Sequence, residues 1–214
     1  MLAVDITRTG LRAHARKSMP VITTLIAETL QTVDTIEDLR RRSNVDQLTG
    51  IATRQSGLQR LRAELSRAQR SSRELAVLML DLDNFKQIND RFGHPVGDAV
   101  LSAIGRTLQQ TIRASDISCR WGGDEFLIVL PETGIDQALR VSGTIANRIA
   151  STVTQYHDAT IRVTPSIGLT IAAPGEDDPD VLIARADAAL YQARKNGRNR
   201  ISVSLKSSSS HAAS

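Results

Sequence analysis

Two adjacent acidic residues, Asp124 and Glu125, follow a pair of glycines, Gly122 and Gly123, between two apolar, strand-favouring segments. This pattern predicts a β-hairpin whose glycine tip tolerates a positive φ and lets a ligand approach the backbone closely. Adjacent carboxylates supply the oxygen ligands that hard divalent cations prefer. A Gly-Gly-Asp sequence taken alone is more often an ordinary solvated turn. The tip is therefore a candidate cation site, with a plain turn as the alternative.

A second acidic pair, Asp81 and Asp83, follows the apolar residues 75–80, which have the length of a central strand covered on both faces. If the strand continued, both carboxylates would lie on one side of it, and burying them without a cation would be costly. Carboxylates at the carboxyl end of a central strand commonly line a ligand crevice. Asp83 is equally a candidate N-cap for the following helix, and for Asp81 a cation ligand and an ordinary strand-end acid are the alternatives at this point.

Residues 120–126, Arg-Trp-Gly-Gly-Asp-Glu-Phe, resemble the signature of the GGDEF family, the diguanylate cyclases that join two GTP molecules into cyclic di-GMP. The resemblance covers residues 46–200, with several motifs in matching order and spacing, and such ordered agreement is more specific than any single motif. The sequence departs from the family pattern at Thr53, usually asparagine, and at Arg194, usually lysine.

The resemblance implies a magnesium site and catalytic groups. Asp81 and Asp124 would bind Mg²⁺ beside the triphosphate, with the carbonyl of Leu82 helping, and Mn²⁺ is an alternative ion. Glu125 would contribute to the metal site or to deprotonating the ribose 3′-hydroxyl. Gly122 and Gly123, which directly precede Asp124, belong to the same implied catalytic set.

The resemblance also implies a substrate-binding set. Asn89 and Asp98 would read guanine, because a carboxylate accepts from the guanine N1–H and amine while an amide serves other edge groups. Phe85 and Lys86 belong to the same matching motif. Without the resemblance, Asp98 would be a helix N-terminal acid and Asn89 a solvated polar residue.

A basic cluster at residues 194–200 ends a predicted helix. Cations close to a helix C-terminus before a glycine explain such a run without any ligand. The resemblance instead implies that Arg194 and Arg198, on either side of Gly197, hold phosphates, although arginine and lysine present different donor geometry.

Arg113 and Asp116 resemble the family's inhibitory site, an Arg-x-x-Asp motif at a fixed distance before the signature. The resemblance implies that cyclic di-GMP binds there as product and inhibitor, with arginine on phosphate or guanine acceptors. Taken alone, such a pair is often an exposed salt bridge of little energy.

The elements that position these residues alternate between helices and strands. Helical patterns are predicted near residues 58–68, 84–91, 96–112, 136–152 and 179–196, the last with Val181, Leu182, Ala189 and Leu190 facing inward. Residues 161–171 predict a strand with a break at Pro165, and residues 201–205 a last strand. Together with the hairpin, the pattern predicts an α/β (α+β) fold, a central mixed β-sheet flanked by helices, and the resemblance implies the nucleotidyl-cyclase GGDEF fold.

Four segments are predicted along the chain. Residues 1–20 form a basic, poorly ordered N-terminus, and residues 21–45 a helical linker. That linker either packs on its own domain or pairs with a second chain as a dimerisation helix. Residues 46–204 form the GGDEF catalytic domain, and residues 205–214 a disordered tail.

Composition limits the function classes. Net charge is +4 with scattered basic residues and aromatics are 3%, which argues against a nucleic-acid-binding surface. No apolar run reaches the ~20 residues of a membrane span. The single cysteine, Cys119, lies in a predicted strand and reads as a small buried hydrophobe. We therefore expect a soluble, cytoplasmic protein without a membrane segment.

The function implied is a diguanylate cyclase that condenses two GTP molecules as a metal-dependent homodimer, releasing two pyrophosphates. The strongest alternative is a catalytically inactive GGDEF domain that serves as a cyclic di-GMP receptor. A cyclase of altered product and a structural signalling module are further alternatives, and the intact acidic signature argues against the inactive receptor.

Overall fold

The computed structural model describes residues 44–157 and 159–205. The predictions for residues 1–20, for all but the last two residues of the 21–45 linker, and for residues 206–214 of the tail lie outside the described residues. The chain from Asn44 onward forms a compact unit. Its elements in chain order are β1 (Ala52–Thr53), α1 (Arg54–Ser71), β2 (Leu75–Leu82), α2 (Phe85–Phe92), α3 (His94–Thr111), β3 (Ile117–Arg120), β4 (Glu125–Pro131), α4 (Ile135–Ser151), β5 (Thr154–Tyr156), β6 (Ala159–Ile161), β7 (Pro165–Ile171), α5 (Pro179–Lys195) and β8 (Ile201–Val203).

Six strands form one mixed sheet in the order β1-β3-β4-β2-β7-β8. The central strand β2 is antiparallel to both β4 and β7, while the outer pairs β1–β3 and β7–β8 are parallel. All eight residues of β2 are buried, as the continuous apolar run predicts. The predicted mixed sheet flanked by helices is confirmed.

Each face of the sheet has its own core, because side chains alternate along a strand. Ala76, Leu78 and Leu80 of β2 pack in a cluster with α3 and α4. Val77 and Met79 point the other way and pack with α1 and α5. Helices on both faces therefore bury β2 completely and fix the position of its carboxyl end.

Two element predictions need correction. Residues 161–171 do not form one strand, because Ile161 ends β6, which pairs with β5 in a separate sheet, and β7 of the main sheet begins at Pro165. Val181 is 50% exposed, so its predicted inward position is wrong. The inward stripe of α5 runs through Leu182, Ala186 and Ala189, and Val181 lies off that stripe because successive residues are about 100° apart around a helix.

None of the helices in the described part of the chain is both long and apolar enough to cross a membrane.

Candidate active site at the carboxyl end of β2

The glycine-acid signature forms the turn between β3 and β4. The strands pair antiparallel up to Arg120 opposite Phe126, and the backbone N–H groups of Trp121 and Gly122 donate to the carbonyl of Glu125, at 2.8 and 3.3 Å. The predicted hairpin is confirmed. Neither Gly122 nor Gly123 has a positive φ, so the turn closes without left-handed backbone and the glycines are present for another reason.

We attribute both glycines to the space around them in the turn. A Cβ on Gly122 would lie 3.1 Å from Oε2 of Glu125, within the turn itself. A Cβ on Gly123 would have no neighbour within 4 Å, so this glycine faces open space beside the pocket described below. Gly122 therefore makes room for Glu125, and Gly123 leaves the turn open on the side where a ligand could approach.

The side chain of Arg120 holds the signature turn by hydrogen bonds, a role that was not predicted from the sequence. Its Nε and Nη2 donate to the carbonyl of Gly123, at 3.1 and 2.9 Å. Its Nη1 lies 3.4 Å from both carboxylate oxygens of Asp46. The only sequence signal for Arg120 was its place as the first residue of the signature segment 120–126, and nothing in the sequence paired it with Asp46, 74 residues away.

Asp46 is itself held by Thr49, whose backbone N–H and Oγ1 donate to the same carboxylate oxygen at 2.9 and 2.7 Å. Burial raises the pKa of Asp46, but the hydrogen bonds from Thr49 and the charge of Arg120 outweigh it and lower the pKa below its usual value. The carboxylate therefore stays charged and anchors Arg120 under the signature turn.

Asp81 is the most strongly perturbed acid of the site. It is 6% exposed and pairs across the sheet with Glu125. Burial raises its pKa to about 7, with Asp124 the next largest contribution and smaller ones from Glu125 and Asp83, while Arg194 lowers it. Nη1 of Arg194 lies 3.4 Å from Oδ2 of Asp81. One half-exposed guanidinium therefore compensates only part of the negative charge at this strand end.

The residues fit a hard divalent cation by donor type. Within residues 44–157 and 159–205, no three acidic, histidine or cysteine side chains group closely enough to form a complete metal site. Asp124 and Glu125 thus lie near enough to raise the pKa of Asp81 without forming a ligand cage with it. Mg²⁺ is usually bound by one or two carboxylates together with substrate phosphates, which is what this arrangement can supply. The Leu82 backbone adjoins the same place, since its N–H donates to the carbonyl of Asp124 at 3.3 Å.

A cavity of about 300 Å³ opens beside the acids. It brings together the residues that the resemblance implied for guanine with part of the signature, although they come from four separate elements and turns. Its lining consists of Phe85, Lys86, Asn89, His94, Asp98, Leu101, Arg120, Gly123 and Asp124. His94 is the first residue of α3 and also borders this cavity.

Asn89 carries an unsatisfied acceptor in this cavity. Its Oδ1 is buried and has no hydrogen-bond partner among the described residues. Gly97 of α3 lies against it, and a Cβ at that position would be 1.9 Å from Oδ1. A buried amide oxygen left unpaired costs free energy, and the side chain that carries this oxygen belongs to a residue that lines the cavity.

Asp83 differs from both roles considered for it. Asn84, with φ 58°, is the N-cap residue of α2, so the capping interpretation of Asp83 is wrong. Its carboxylate accepts from the hydroxyls of Thr164 and Ser166, at 2.6 and 2.7 Å. The carboxylate of Asp83 is turned toward β7 and held there.

Arg198, the other arginine predicted to hold phosphate, lies on the turn that follows α5, with φ 62°.

Arg113 and Asp116 lie in a separate turn between α3 and β3. The backbone N–H of Arg113 donates to Oδ2 of Asp116, and the N–H of Asp116 to the carbonyl of Arg113, both at 3.0 Å. Both residues line a cavity of about 360 Å³ that also includes Arg60 and Ser118. None of its lining residues is shared with the cavity at Asn89. The two motif residues are thus brought together at a second place on the surface.

The folded unit matches known proteins over nearly its whole length. The family profile described as "Diguanylate cyclase, GGDEF domain" matches residues 43–200. The chain is 39% identical over 158 residues to the response regulator PleD of Caulobacter vibrioides, covering 73% of this chain and 35% of PleD. It is 34% identical over 189 residues to the diguanylate cyclase DosC of Escherichia coli, covering 88% of this chain and 40% of DosC. The chain spans less than half the length of these relatives.

Solved structures give the same picture. The diguanylate cyclase SiaD of Pseudomonas aeruginosa, crystallised with its activator SiaC, matches with a TM-score of 0.73 and 30% identity over 94% of this chain and 83% of that one. The GGDEF domain of DgcB from Caulobacter crescentus, in complex with cyclic di-GMP, matches with a TM-score of 0.71 and 27% identity over 75% of this chain and 92% of that one. The predicted GGDEF fold is confirmed. Because the family profile extends over the unit that carries the acidic strand end and its signature turn, the chain belongs to the GGDEF-domain family of diguanylate cyclases.

Proposed function

We propose that this chain is an active diguanylate cyclase that condenses two GTP molecules into cyclic di-GMP and two pyrophosphates. The observation that carries the proposal is the juxtaposition of an under-compensated acidic strand end, at Asp81, with a cavity that holds the unpaired acceptor of Asn89. The first suits a polyphosphate bound with a cation, and the second suits a purine edge rich in N–H donors.

The cavity residues would hold the base. Asp98 would accept from the guanine N1–H and exocyclic amine, and Oδ1 of Asn89 would accept a further N–H. Adenine presents an acceptor where guanine presents N1–H, so a carboxylate at Asp98 favours guanine. Phe85 and Lys86 border the same cavity and complete its wall.

The acids and arginines would hold the reacting groups. When bound by Asp81, Asp124 and the carbonyl of Leu82, Mg²⁺ or Mn²⁺ would neutralise charge on the triphosphate and lower the pKa of the ribose hydroxyl. Glu125 would accept the proton of the 3′-hydroxyl. Arg194 and Arg198 would bind phosphate oxygens. No covalent enzyme intermediate is required, because positioning and charge stabilisation account for most catalysis of phosphoryl transfer.

The reaction would need two copies of the chain. Each copy would hold one GTP, and two facing sites would align each 3′-hydroxyl with the partner's α-phosphate. The specific activity should therefore rise with protein concentration until the dimer is saturated.

The test is chromatographic separation of nucleotides after incubation with GTP and Mg²⁺, with a chelator control. We expect chelator-sensitive cyclic di-GMP from the native chain and no product from Asp124→Ala. Asp177→Asn, a change of an exposed loop acid, serves as the control for general effects of losing a carboxylate. Unchanged turnover in Asp124→Ala would refute the assignment of this residue to the metal site.

A second function, cyclic di-GMP reception, is favoured by the separate cavity at Arg113 and Asp116. In an active cyclase the same cavity would mediate product inhibition. A chain that binds cyclic di-GMP and makes none, at concentrations that force dimers and after removal of bound nucleotide, would be a receptor.

A further inference from the structure

The turn after α5 has an unusual backbone. Gly197, Arg198 and Asn199 have φ values of 110°, 62° and 46°, three consecutive residues in the left-handed region. A residue with a side chain pays about 1 kcal/mol or more for that conformation, with asparagine penalised least, so surrounding contacts must hold the turn. Part of the support is local, since the N–H of Arg198 donates to the carbonyl of Ala193 at 3.1 Å.

Part of the long-range support comes from Asp83, beside the bond from the N–H of Ile167 to the carbonyl of Arg200 at 2.9 Å. Oδ2 of Asp83 accepts from the backbone N–H of Asn199 at 3.0 Å, across 116 positions of sequence. The same carboxylate accepts from the hydroxyls of Thr164 and Ser166, and the backbone N–H of Asp83 donates to the carbonyl of Thr164 at 2.8 Å. Asp83 is 6% exposed, so these bonds are shielded from water.

The hydrogen bonds occupy both carboxylate oxygens of Asp83 with donors from β7 and the turn. Among the described residues, Asp83 makes no ion pair, in contrast to Asp81, which faces Arg194. Two aspartates that are two positions apart therefore have different tasks. Asp81 meets the arginine at the end of α5, and Asp83 holds the backbone one residue after Arg198.

We infer that Asp83 is a positioning residue that acts on phosphate binding through Arg198. By accepting the N–H of Asn199, it holds the left-handed turn in the one conformation that sets Arg198 beside the carboxyl end of β2. Asp83 itself binds neither the metal nor the substrate. This inference rests on the proposed function, because it assumes that the site binds GTP.

The test measures binding of 3′-deoxy-GTP, which lacks the attacking hydroxyl and cannot be cyclised, by calorimetry in the presence of Mg²⁺. We expect Asp83→Ala to weaken binding about tenfold, the scale of losing one hydrogen bond to a charged group. Asp83→Asn keeps an acceptor oxygen for the Asn199 N–H and should weaken binding less. Asp177→Asn, an exposed carboxylate change, is the matched control.

The decisive comparison is a double-mutant cycle with Arg198→Ala. If Asp83 acts through Arg198, the double variant binds no more than about twofold weaker than Arg198→Ala alone, because coupled residues are not additive. Independent, multiplying effects would overturn the inference. So would a rise in the Mg²⁺ concentration needed for half-maximal binding in Asp83→Asn with unchanged nucleotide affinity at saturating Mg²⁺, which would mark a metal ligand.

Folding and function are separated in the same experiment. If Asp83→Ala does not fold, as judged by circular dichroism, the cycle is run with Asp83→Asn. If the native chain binds 3′-deoxy-GTP but forms no cyclic di-GMP, the proposed function fails while the cycle still decides the role of Asp83. A native chain that does not bind 3′-deoxy-GTP overturns both.

Discussion

Asp46 and Asp81 are both enclosed aspartates of the same site, yet their surroundings shift their pKa values in opposite directions. Asp46 receives two hydrogen bonds from Thr49 and the charge of Arg120, which together outweigh its burial. Asp81 is more deeply buried and lies among other acids, with only Arg194 opposing them. An aspartate therefore serves in one place as an anchor that is charged at neutral pH. In the other place it is a buried carboxylate whose charged form a bound cation would stabilise.

The anchor role of Asp46 gives a pH prediction. Since its folded pKa lies below its unfolded value of about 3.8, the charged form stabilises the fold above that value, and this contribution is lost as the pH falls through the folded pKa. We expect Asp46→Asn to lower the melting temperature at pH 7 by about 3–6 °C, the lower end of the scale for one lost hydrogen bond to a charged group. The difference from the native chain should shrink as the pH falls below about 4, because Asp46 of the native chain is then protonated and, like the asparagine of the variant, carries no charge.

Thermal unfolding followed by circular dichroism from pH 3 to pH 8 measures this difference. Asp177→Asn is a suitable control because that acid is exposed. A constant difference between Asp46→Asn and the native chain over the whole range would show that the Asp46 charge does not stabilise the fold.

At the level of elements, glycines set how closely helices approach the site. Gly97 of α3 contacts the side chain of Asn89 on α2, and a Cβ there would be 1.9 Å from Oδ1. Gly143 in the middle of α4 has no atom within 4 Å of its Cβ position. The same substitution to alanine should therefore have opposite effects in the two helices.

We expect Gly97→Ala to displace Asn89, to destabilise the fold by about 1–3 kcal/mol through overpacking, and to weaken GTP binding. Gly143→Ala should stabilise the fold by about 0.5–1 kcal/mol, because alanine loses less backbone entropy in a helix. Urea unfolding measures both changes, and calorimetry with 3′-deoxy-GTP measures binding. Normal nucleotide affinity in Gly97→Ala would remove Asn89 from the base-binding set.

The contact between α1 and β3 makes a prediction about Cys119. This residue is fully buried, and a Cβ on Gly57 of α1 would lie 2.2 Å from its Sγ, so the helix leaves no room above the thiol. Burial raises the pKa of Cys119 to about 12. Because the thiolate is the reactive form, iodoacetamide at pH 8 should leave the folded protein unmodified and label it after unfolding in urea, as read by mass spectrometry. Rapid labelling of the folded protein would show that α1 opens readily.

Over the whole molecule, the two candidate nucleotide sites lie in cavities that share no lining residue. One borders the signature turn and the other borders Arg113 and Asp116. The segment with Arg113 and Asp116 leads directly into β3, and β3 ends at Arg120, the first residue of the signature. A ligand bound in the second cavity would therefore lie beside the strand that leads to the signature turn. This continuity would provide a physical route for the product inhibition proposed above.

We expect Arg113→Ala to raise the cyclic di-GMP concentration that halves the initial rate by about tenfold or more, because a guanidinium that binds phosphate is lost. The measurement compares initial rates at increasing cyclic di-GMP for each protein, normalised to its own uninhibited rate. Arg106→Ala is the matched control, since Arg106 is exposed and its guanidinium donates to the hydroxyl of Ser102 on its own helix. Inhibition that persists unchanged in Arg113→Ala would remove this motif from the inhibitory site.

Features that depend on residues close together in the sequence could be predicted from the sequence. The apolar run before Asp81 predicted a central strand, because a strand covered on both faces is apolar at every position and a run this short suits a strand better than a helix. Apolar residues on either side of Gly122 and Gly123 specified the hairpin. The spacing of Asp81, Asn89, Asp98 and the signature identified the family, because a long ordered match is improbable by chance.

Contacts between residues far apart in the sequence could be read only from the folded chain. The bonds from Arg120 to Asp46 and from Asp83 to Asn199 join positions 74 and 116 apart, and no local pattern encodes such pairs. The same reason explains why the capping interpretation of Asp83 was wrong, since partners on β7 and the turn after α5 competed for its carboxylate. The sequence names the charged groups of this site, but their pKa values and roles depend on burial and on neighbours that the folded sheet brings together.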